Sequence, residues 1–540
     1  MVNQHTSGVI SGGHTETVAA GAEMLKQGGN AIDAAVAAAF ASFVAESLLV
    51  NIGGGGIAQV YAHSNQSPIV YDFFSNMPGL SPKIKRPITE IDFQNVILDF
   101  GGSQESFFVG RGSVAVHGAV AGLCKMIEEM GTLSLAQILA PAINLARKGV
   151  LVGELDDYIL STVLKPILTH TPQIKDIYAP GGRMAKTGDW LYFPELARTL
   201  EQLAQDGASL FYTGAVAEKI LVDQAMHGGL LTETDLTTYE IYRLNPLQID
   251  YRDYTLCLPP LPSNGGLFIA FAFKLLEMLS FEIIPHHSIQ HFRGLIETIR
   301  LTNVARREWE ENCRASLISD EQATTLLLND DNISRYHRKL QKALSQNITM
   351  PEPTFPHGPS NTTHISAADE NNMVVGITLT AGEGAGFVVD DTGVRLNNML
   401  GESDLNPCGF HSLPAGKRLA TMMSPMFVFK NDAPILVTGS GGSTRIRTAI
   451  LQVVNNVLDF NLPLATAVAM PRFHFEEGIS QLEGDIAKEI ADQLEQHGYV
   501  VNRWDGQNLF FGGTHTVSRD GSIWHGTGDQ RRGGAVAVVC

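Results

Sequence analysis

Thr362 heads the strand-like run Thr362-Thr363-His364-Ile365-Ser366-Ala367-Ala368-Asp369. Directly before it lies a polar stretch, Asn347 to Asn361, that carries Pro351, Pro353, Pro356 and Pro359. Exposed stretches of that composition are where chains are cut. A cut before Thr362 would free an α-amine on the residue that carries the hydroxyl. Such an amine has a pKa of about 7.7–8.0, close to working pH, as a general base requires. A Thr hydroxyl with its own terminal amine is a nucleophile–base pair. Thr is also a good strand former, so these residues alone leave a nucleophile and a plain strand start both open.

Other residues that could do chemistry carry less. Asn51-Ile52-Gly53-Gly54-Gly55-Gly56 sets bare backbone before an apolar run, Ile57–Tyr61. No Gly-Lys-Ser/Thr follows and the next element reads as a strand, so it is not a phosphate-binding loop. His287 and His291 stand four apart, on one face of a helix. No Glu follows the first, so the metalloprotease pattern is missing and a packed or solvated helix face is the better reading. The five cysteines, at 124, 257, 313, 408 and 540, are far apart and odd in number, which argues against a disulfide framework or a redox pair.

The elements that must position these residues follow from the pattern. Helices are predicted over Thr15–Val50, broken at Gly28-Gly29-Asn30, with Asn30 capping the second. Further helices are predicted at Leu133–Arg147 and Glu195–Asp206, and across most of Ser280–Lys342. Strands are predicted at Leu247–Leu258, and a rigid loop, Pro259 to Gly266, follows them. Beyond Asn361 two hairpins appear, Thr362–Asp369 with Met373–Thr380, and Met426–Phe429 with Ile435–Thr438. The run Gly439-Ser440-Gly441-Gly442-Ser443-Thr444 then opens a helix from about Ile446 to Leu458, and strands close the chain near Gly512–Val517 and Gly534–Val539. Stacked sheets between helices are the expected architecture.

Composition fits an ordinary enzyme. The 540 residues are 44 % hydrophobic and 17 % charged, enough for a large core, and the net charge of −18 argues against nucleic-acid or anionic-membrane partners. The Ala34–Val44 stretch is too short to span a bilayer. The N-terminus MVNQHTSGVISGGH has no basic segment followed by an apolar one, which places the protein in the cytoplasm, or in the periplasm if a leader was removed.

Several stretches, in order and across nearly the whole chain, resemble the γ-glutamyltransferase family of N-terminal-nucleophile hydrolases. They are Gly28–Ala35, Asn51–Gly56, His117–Leu123, Gly228–Tyr239, Pro259–Gly266, Thr362–Asp369, Leu396–Asn398, Val437–Ile446 and Pro471–Glu476. The resemblance implies an α+β fold, a four-layer αββα sandwich, and self-cleavage at Asn361–Thr362. That cut would give a large portion, 1–361, and a small portion, 362–540, intertwined in one unit. It implies that Thr362 is the nucleophile, that the Thr380 hydroxyl supports it, and that Gly441 and Gly442 supply oxyanion-hole amides. The family reads Ser-Pro-Gly-Gly-Ser there, so the pair could sit one place on, at Gly442 and Ser443. No cofactor or metal is implied. The implied partner is a small amide substrate; the oligomeric state is left open.

The departures concern the substrate. Members that cleave glutathione hold its α-carboxylate with an Arg shortly after an Asp-Phe pair, whereas Asp72-Phe73 is followed by Phe74-Ser75-Asn76. A phenyl ring cannot replace a guanidinium fork. Phe74 is therefore expected as an apolar pocket wall. Glu402 stands for the acid that meets the α-amine, near Asn398. Thr421 keeps one hydroxyl of a serine pair whose second place is Met422. Gly382 replaces an Asn. The expected activity is γ-glutamyl amide hydrolysis, glutathione included. The alternatives are a changed acyl group, as in glutaryl-cephalosporin acylases or oxamate amidohydrolase, and an uncut binding protein.

Overall fold

The computed structural model describes residues 5–63, 67–81, 90–100, 104–316, 318–346 and 361–540. The proline-rich stretch ahead of Thr362 lies outside these residues up to position 360. Two large sheets form the centre. The seven-stranded one runs, edge to edge, Ala535–Val539, Gly8–Gly12, Thr362–Asp369, Val374–Thr380, Gly55–Tyr61, Ile69–Phe73 and Tyr242–Leu244. Every neighbouring pair in it is antiparallel. The six-stranded sheet runs Ile523–Thr527, Thr516–Asp520, Ala433–Thr438, Met426–Lys430, Tyr254–Leu258 and Leu247–Tyr251.

Strand periodicity assigns the layers. Val375, Ile377 and Leu379 face a helical core, while Val374 on the same strand faces the other sheet. Met426 and Val428 face a second helical core, and Phe427 and Phe429 point inward between the sheets. Alternate side chains of one strand must lie on opposite faces, so each sheet carries helices outside and its partner inside. Helices Thr15–Lys26 and Ala31–Ala45 pack on the seven-stranded sheet. Asn264–Leu276, with Ile289–Ser316 and Arg445–Leu458 against it, packs beside the six-stranded one. This is the expected αββα order.

The Ala31–Ala45 helix is buried along its whole length, and small side chains let it sit close to the sheet. Asn30 caps it with a full capping box to Asp33, as the sequence predicts. The helix after Pro259–Pro262 starts at Asn264, inside the segment predicted as loop, because Ser263 bonds to the Met423 carbonyl and ends the loop early. The first strand, Gly8–Gly12, was not legible: five residues with two glycines give no alternation, and only pairing on both edges makes them a strand.

Candidate active site

Thr362 opens an inner strand of the seven-stranded sheet, third from one edge, with Thr380 opposite it on the central strand, and Gly55 opposite Thr380 on the next. Four side chains hold the segment Asn361–Thr363. The Thr380 hydroxyl donates to the Asn361 carbonyl at 2.5 Å and accepts from the Gly382 N–H at 3.0 Å. The Glu383 carboxylate takes the Asn361 backbone N–H at 3.0 Å and its side-chain amide at 2.6 Å. Arg532 donates to the Thr362 carbonyl at 3.1 Å. Glu46 accepts from the hydroxyls of Thr17 and Thr363, at 2.6 and 2.5 Å.

Burial dominates the electrostatics. It lifts the Glu383 carboxyl to about 8 against the pull of the Asn361 N–H, and that of Glu46 to about 7 against its hydroxyl partners. Burial and the nearby Arg445 push Arg532 down to about 10, so it stays charged at neutral pH. His364 is held neutral, far below its usual range, chiefly by burial. Its ring nitrogens meet the Thr378 and Ser366 hydroxyls at 2.8 and 2.9 Å, so it is a buried brace between strands.

In the predicted Gly439–Thr444 turn, Gly441 sits against Thr362. A Cβ on Gly441 would lie 2.2 Å from the Thr362 carbonyl oxygen, so only glycine allows this approach. Gly442 and Ser443 both have positive φ, at 109° and 48°. Ser443 is strained there and is held by its hydroxyl bond to Asp404. Thr444 returns to helical angles at the N-cap of Arg445–Leu458. The turn sets successive N–H groups at a helix start, a geometry that suits an anion. The Asn51–Gly56 glycines have another reason: Cβ atoms on Gly53 and Gly54 would strike the carbonyls of Arg395 and Thr380, at 2.4 and 2.2 Å. The chain itself approaches there.

The expected substrate residues are placed unevenly. Glu402 and Asn398 converge on Gly382, where an added Cβ would lie 2.1 Å from Glu402 Oε1 and 2.2 Å from Asn398 Oδ1. Asn398 is used by the backbone: Oδ1 accepts from Glu383 and Gly384 N–H groups, and Nδ2 donates to the Phe108 carbonyl. It holds the loop that carries Glu383. Thr421 accepts the Met423 N–H at 3.1 Å. Phe74 is placed inward. Its ring is fully buried in the apolar cluster with Met77, Leu400 and Leu419, and is core in the uncut chain. Its carbonyl accepts from Tyr239 and Arg418. His291 uses both ring nitrogens, accepting the His287 N–H and facing Asn455, a packed arrangement.

Glu383 and Arg445 were missed in the sequence. Each stands beside a motif, Glu383 three residues after Thr380 and Arg445 just past the glycine turn, and a charge adjoining a motif in a buried segment is the signal available.

The αββα order, with a Thr at the head of an inner strand, is the fold of the N-terminal-nucleophile hydrolases. The gamma-glutamyltranspeptidase family model matches residues 17–539. The chain is 30% identical over 569 residues to a glutathione hydrolase proenzyme of Bacillus subtilis (strain 168), spanning 100% of this chain and 92% of that one. It is 30% identical over 509 residues to the acylase ACY 1 proenzyme of Pseudomonas sp. (strain SE83), spanning 92% and 87%. A solved cephalosporin acylase from Bacillus halodurans, 24% identical, has the same fold, with a TM-score of 0.81 over 99% of this chain and 96% of that one. The chain belongs to the gamma-glutamyltranspeptidase family.

Proposed function

We propose that this chain is a self-cleaving amidohydrolase with Thr362 as its nucleophile, acting on γ-glutamyl-type amides through an acyl-enzyme. The observation that carries the reading is the grip on the residue before Thr362: Thr380 on the Asn361 carbonyl, and Glu383 on both Asn361 nitrogens. The relatives' proenzyme names support a precursor, and their hydrolase and acylase names support amide cleavage.

Self-cleavage runs in two steps. The Thr362 Oγ attacks the Asn361 carbonyl carbon, and the Asn361–Thr362 C–N bond breaks to give an ester and a free α-amine. Water then hydrolyses the ester, leaving the Asn361 carboxylate and Thr362 as a new N-terminus. The Thr380 hydroxyl bonds the oxygen on which negative charge develops.

Turnover uses the same hydroxyl. The freed amine takes the Thr362 proton as Oγ attacks the substrate amide, then gives it to the leaving amine. Water, activated by the amine, resolves the acyl-enzyme and releases the acid. Gly442 and Ser443 are the better oxyanion pair, since the place of Gly441 is explained by its packing on the Thr362 carbonyl.

Denaturing gels and N-terminal sequencing test the reading. Two chains, the smaller starting at Thr362, are the expected result. Thr362→Ala should abolish both cutting and turnover, and Thr362→Ser should keep part of each. An uncut chain with no amidase activity would instead identify a binding protein.

A further inference from the structure

Beside the Gly442–Ser443 turn lies a cavity of about 530 Å³, lined in part by Arg445, His474, Glu476, Phe510, Ser403 and Glu105. Arg445 is 2 % exposed, yet its Nε and Nη2 have no hydrogen-bond partner among the described residues. Its guanidinium sits over the Phe510 ring, 4.8 Å from the centroid. Other buried arginines hold at least one partner: Arg531 reaches Glu483 with Nε and Nη2, and Arg472, whose Nε is also unpartnered among the described residues, pairs with Asp529 at 2.6 Å. An open guanidinium fork, out of water and facing a cavity, matches a carboxylate in shape and charge.

We infer that Arg445 binds a carboxylate at the far end of the substrate's acyl group. The inference rests on the proposed acyl transfer and identifies the class of acyl group. Arg445 is rooted next to the reacting residue. A Cβ on Gly442 would lie 3.7 Å from Arg445 Cβ, and one on Gly441 would touch the Thr362 carbonyl. Arg445 also opens the helix Arg445–Leu458, whose dipole favours an anion. It supplies a guanidinium from the side of the oxyanion turn, whereas the segment after Asp72-Phe73 holds none.

The other charges at the cavity make it selective. Burial keeps His474 below its usual range, and its Nε2 faces Glu476 at 3.0 Å. Glu476 also takes the Thr444 hydroxyl at 2.8 Å. The buried Asp404 and Glu383 act on Arg445, and Glu105, Glu476 and the exposed Glu477 also line the cavity, so a remote anion gains little. A carboxylate gains only when it reaches the fork.

The test compares two 4-nitroanilides of equal chain length, glutaryl and pentanoyl, on the purified two-chain protein. Wild type should prefer the glutaryl amide. Arg445→Met should shrink that preference about thirtyfold or more, mostly through KM, since two charge-assisted hydrogen bonds are lost. Arg445→Lys should restore part of it and serves as the test if the Met variant does not fold. Equal losses on both amides, or a wild type that favours pentanoyl, would overturn the inference. If neither anilide is cleaved, titration calorimetry with glutarate decides. Binding that Arg445→Met removes supports the inference, and no binding to wild type refutes it. Failure of the underlying reading shows differently, as hydrolysis that survives Thr362→Ala.

Discussion

The Thr380 hydroxyl donates a 2.5 Å hydrogen bond to the carbonyl oxygen of Asn361, one residue before the candidate nucleophile. Its direction is fixed, because a carbonyl oxygen can only accept; the hydroxyl in turn accepts the Gly382 N–H at 3.0 Å. The sheet register sets the pair, since Thr380 stands opposite Thr362 on the adjacent strand.

Thr380→Val should therefore slow self-cleavage. The variant keeps the β-branched shape that the strand favours and removes the donor. Losing one oxyanion donor costs roughly a hundredfold to a thousandfold in rate. A gel time course of the precursor at fixed pH checks this, and Thr380→Ser should stay within about tenfold of wild type because the donor survives. Cutting by Thr380→Val at the wild-type rate would remove this bond from the mechanism.

Gly441→Ala should block both cutting and turnover. The new methyl would lie 2.2 Å from the Thr362 carbonyl oxygen, a backbone atom tied to Arg532. Neither atom can give way without moving the strand that Thr362 opens. Intact mass and initial rates on purified variant read the effect. Gly409 is an apt control, since a methyl there meets nothing within 4 Å, although its φ of +100° makes Ala locally strained.

The placement of several candidate residues was legible in the sequence, and what was not legible has one cause. Thr362, Thr380 and the glycine turn sit where order and spacing imply, because strand register and tight turns are local properties. The layers followed from helix-then-strand patterning. The direction of Phe74 was not legible, because it depends on what packs around it: the sequence shows an aromatic after Asp72-Phe73, and in the fold it joins an apolar cluster. Glu383 and Arg445 were missed because their importance lies in partners far along the chain or absent from it.

The precursor's stability should fall as pH rises. Glu383 and Glu46 have carboxyls raised to about 8 and about 7 in the folded chain, first by burial. Between their unfolded values, about 4.3, and those raised values the native state holds more protons than the unfolded state. The stability they contribute is thus fully present below about pH 4.3 and lost as pH rises through about 7 and 8. Thermal unfolding of Thr362→Ala, which the proposed mechanism leaves uncut, measures this between pH 5 and 9. Adding Glu383→Gln should flatten the slope between about pH 5 and 8, on the order of a few kcal/mol over the window. An unchanged slope would mean that Glu383 is ionised throughout.

Phe74→Arg should damage the protein and leave substrate recognition unimproved. Read from the sequence, that change restores a missing guanidinium and should raise activity on γ-glutamyl amides. The structure reverses the sign. The ring is fully buried against Met77, Leu400 and Leu419, so a guanidinium there would have no acceptor and would lose its water. Arg418 already occupies the polar side, bonded to the Phe74 carbonyl and 3.6 Å from Asp72, so a second cation would meet repulsion as well as apolar walls. Replacing a core aromatic costs about 3–5 kcal/mol from lost packing alone, before the charge is counted. Soluble yield, melting temperature and kcat/KM on a γ-glutamyl anilide separate the two accounts. A well-folded, two-chain Phe74→Arg variant with raised kcat/KM would show that the ring turns outward once the chain is cut. A poorly folded one, beside a Phe74→Leu control that folds and keeps most activity, would fix Phe74 as core and leave carboxylate recognition to a residue elsewhere.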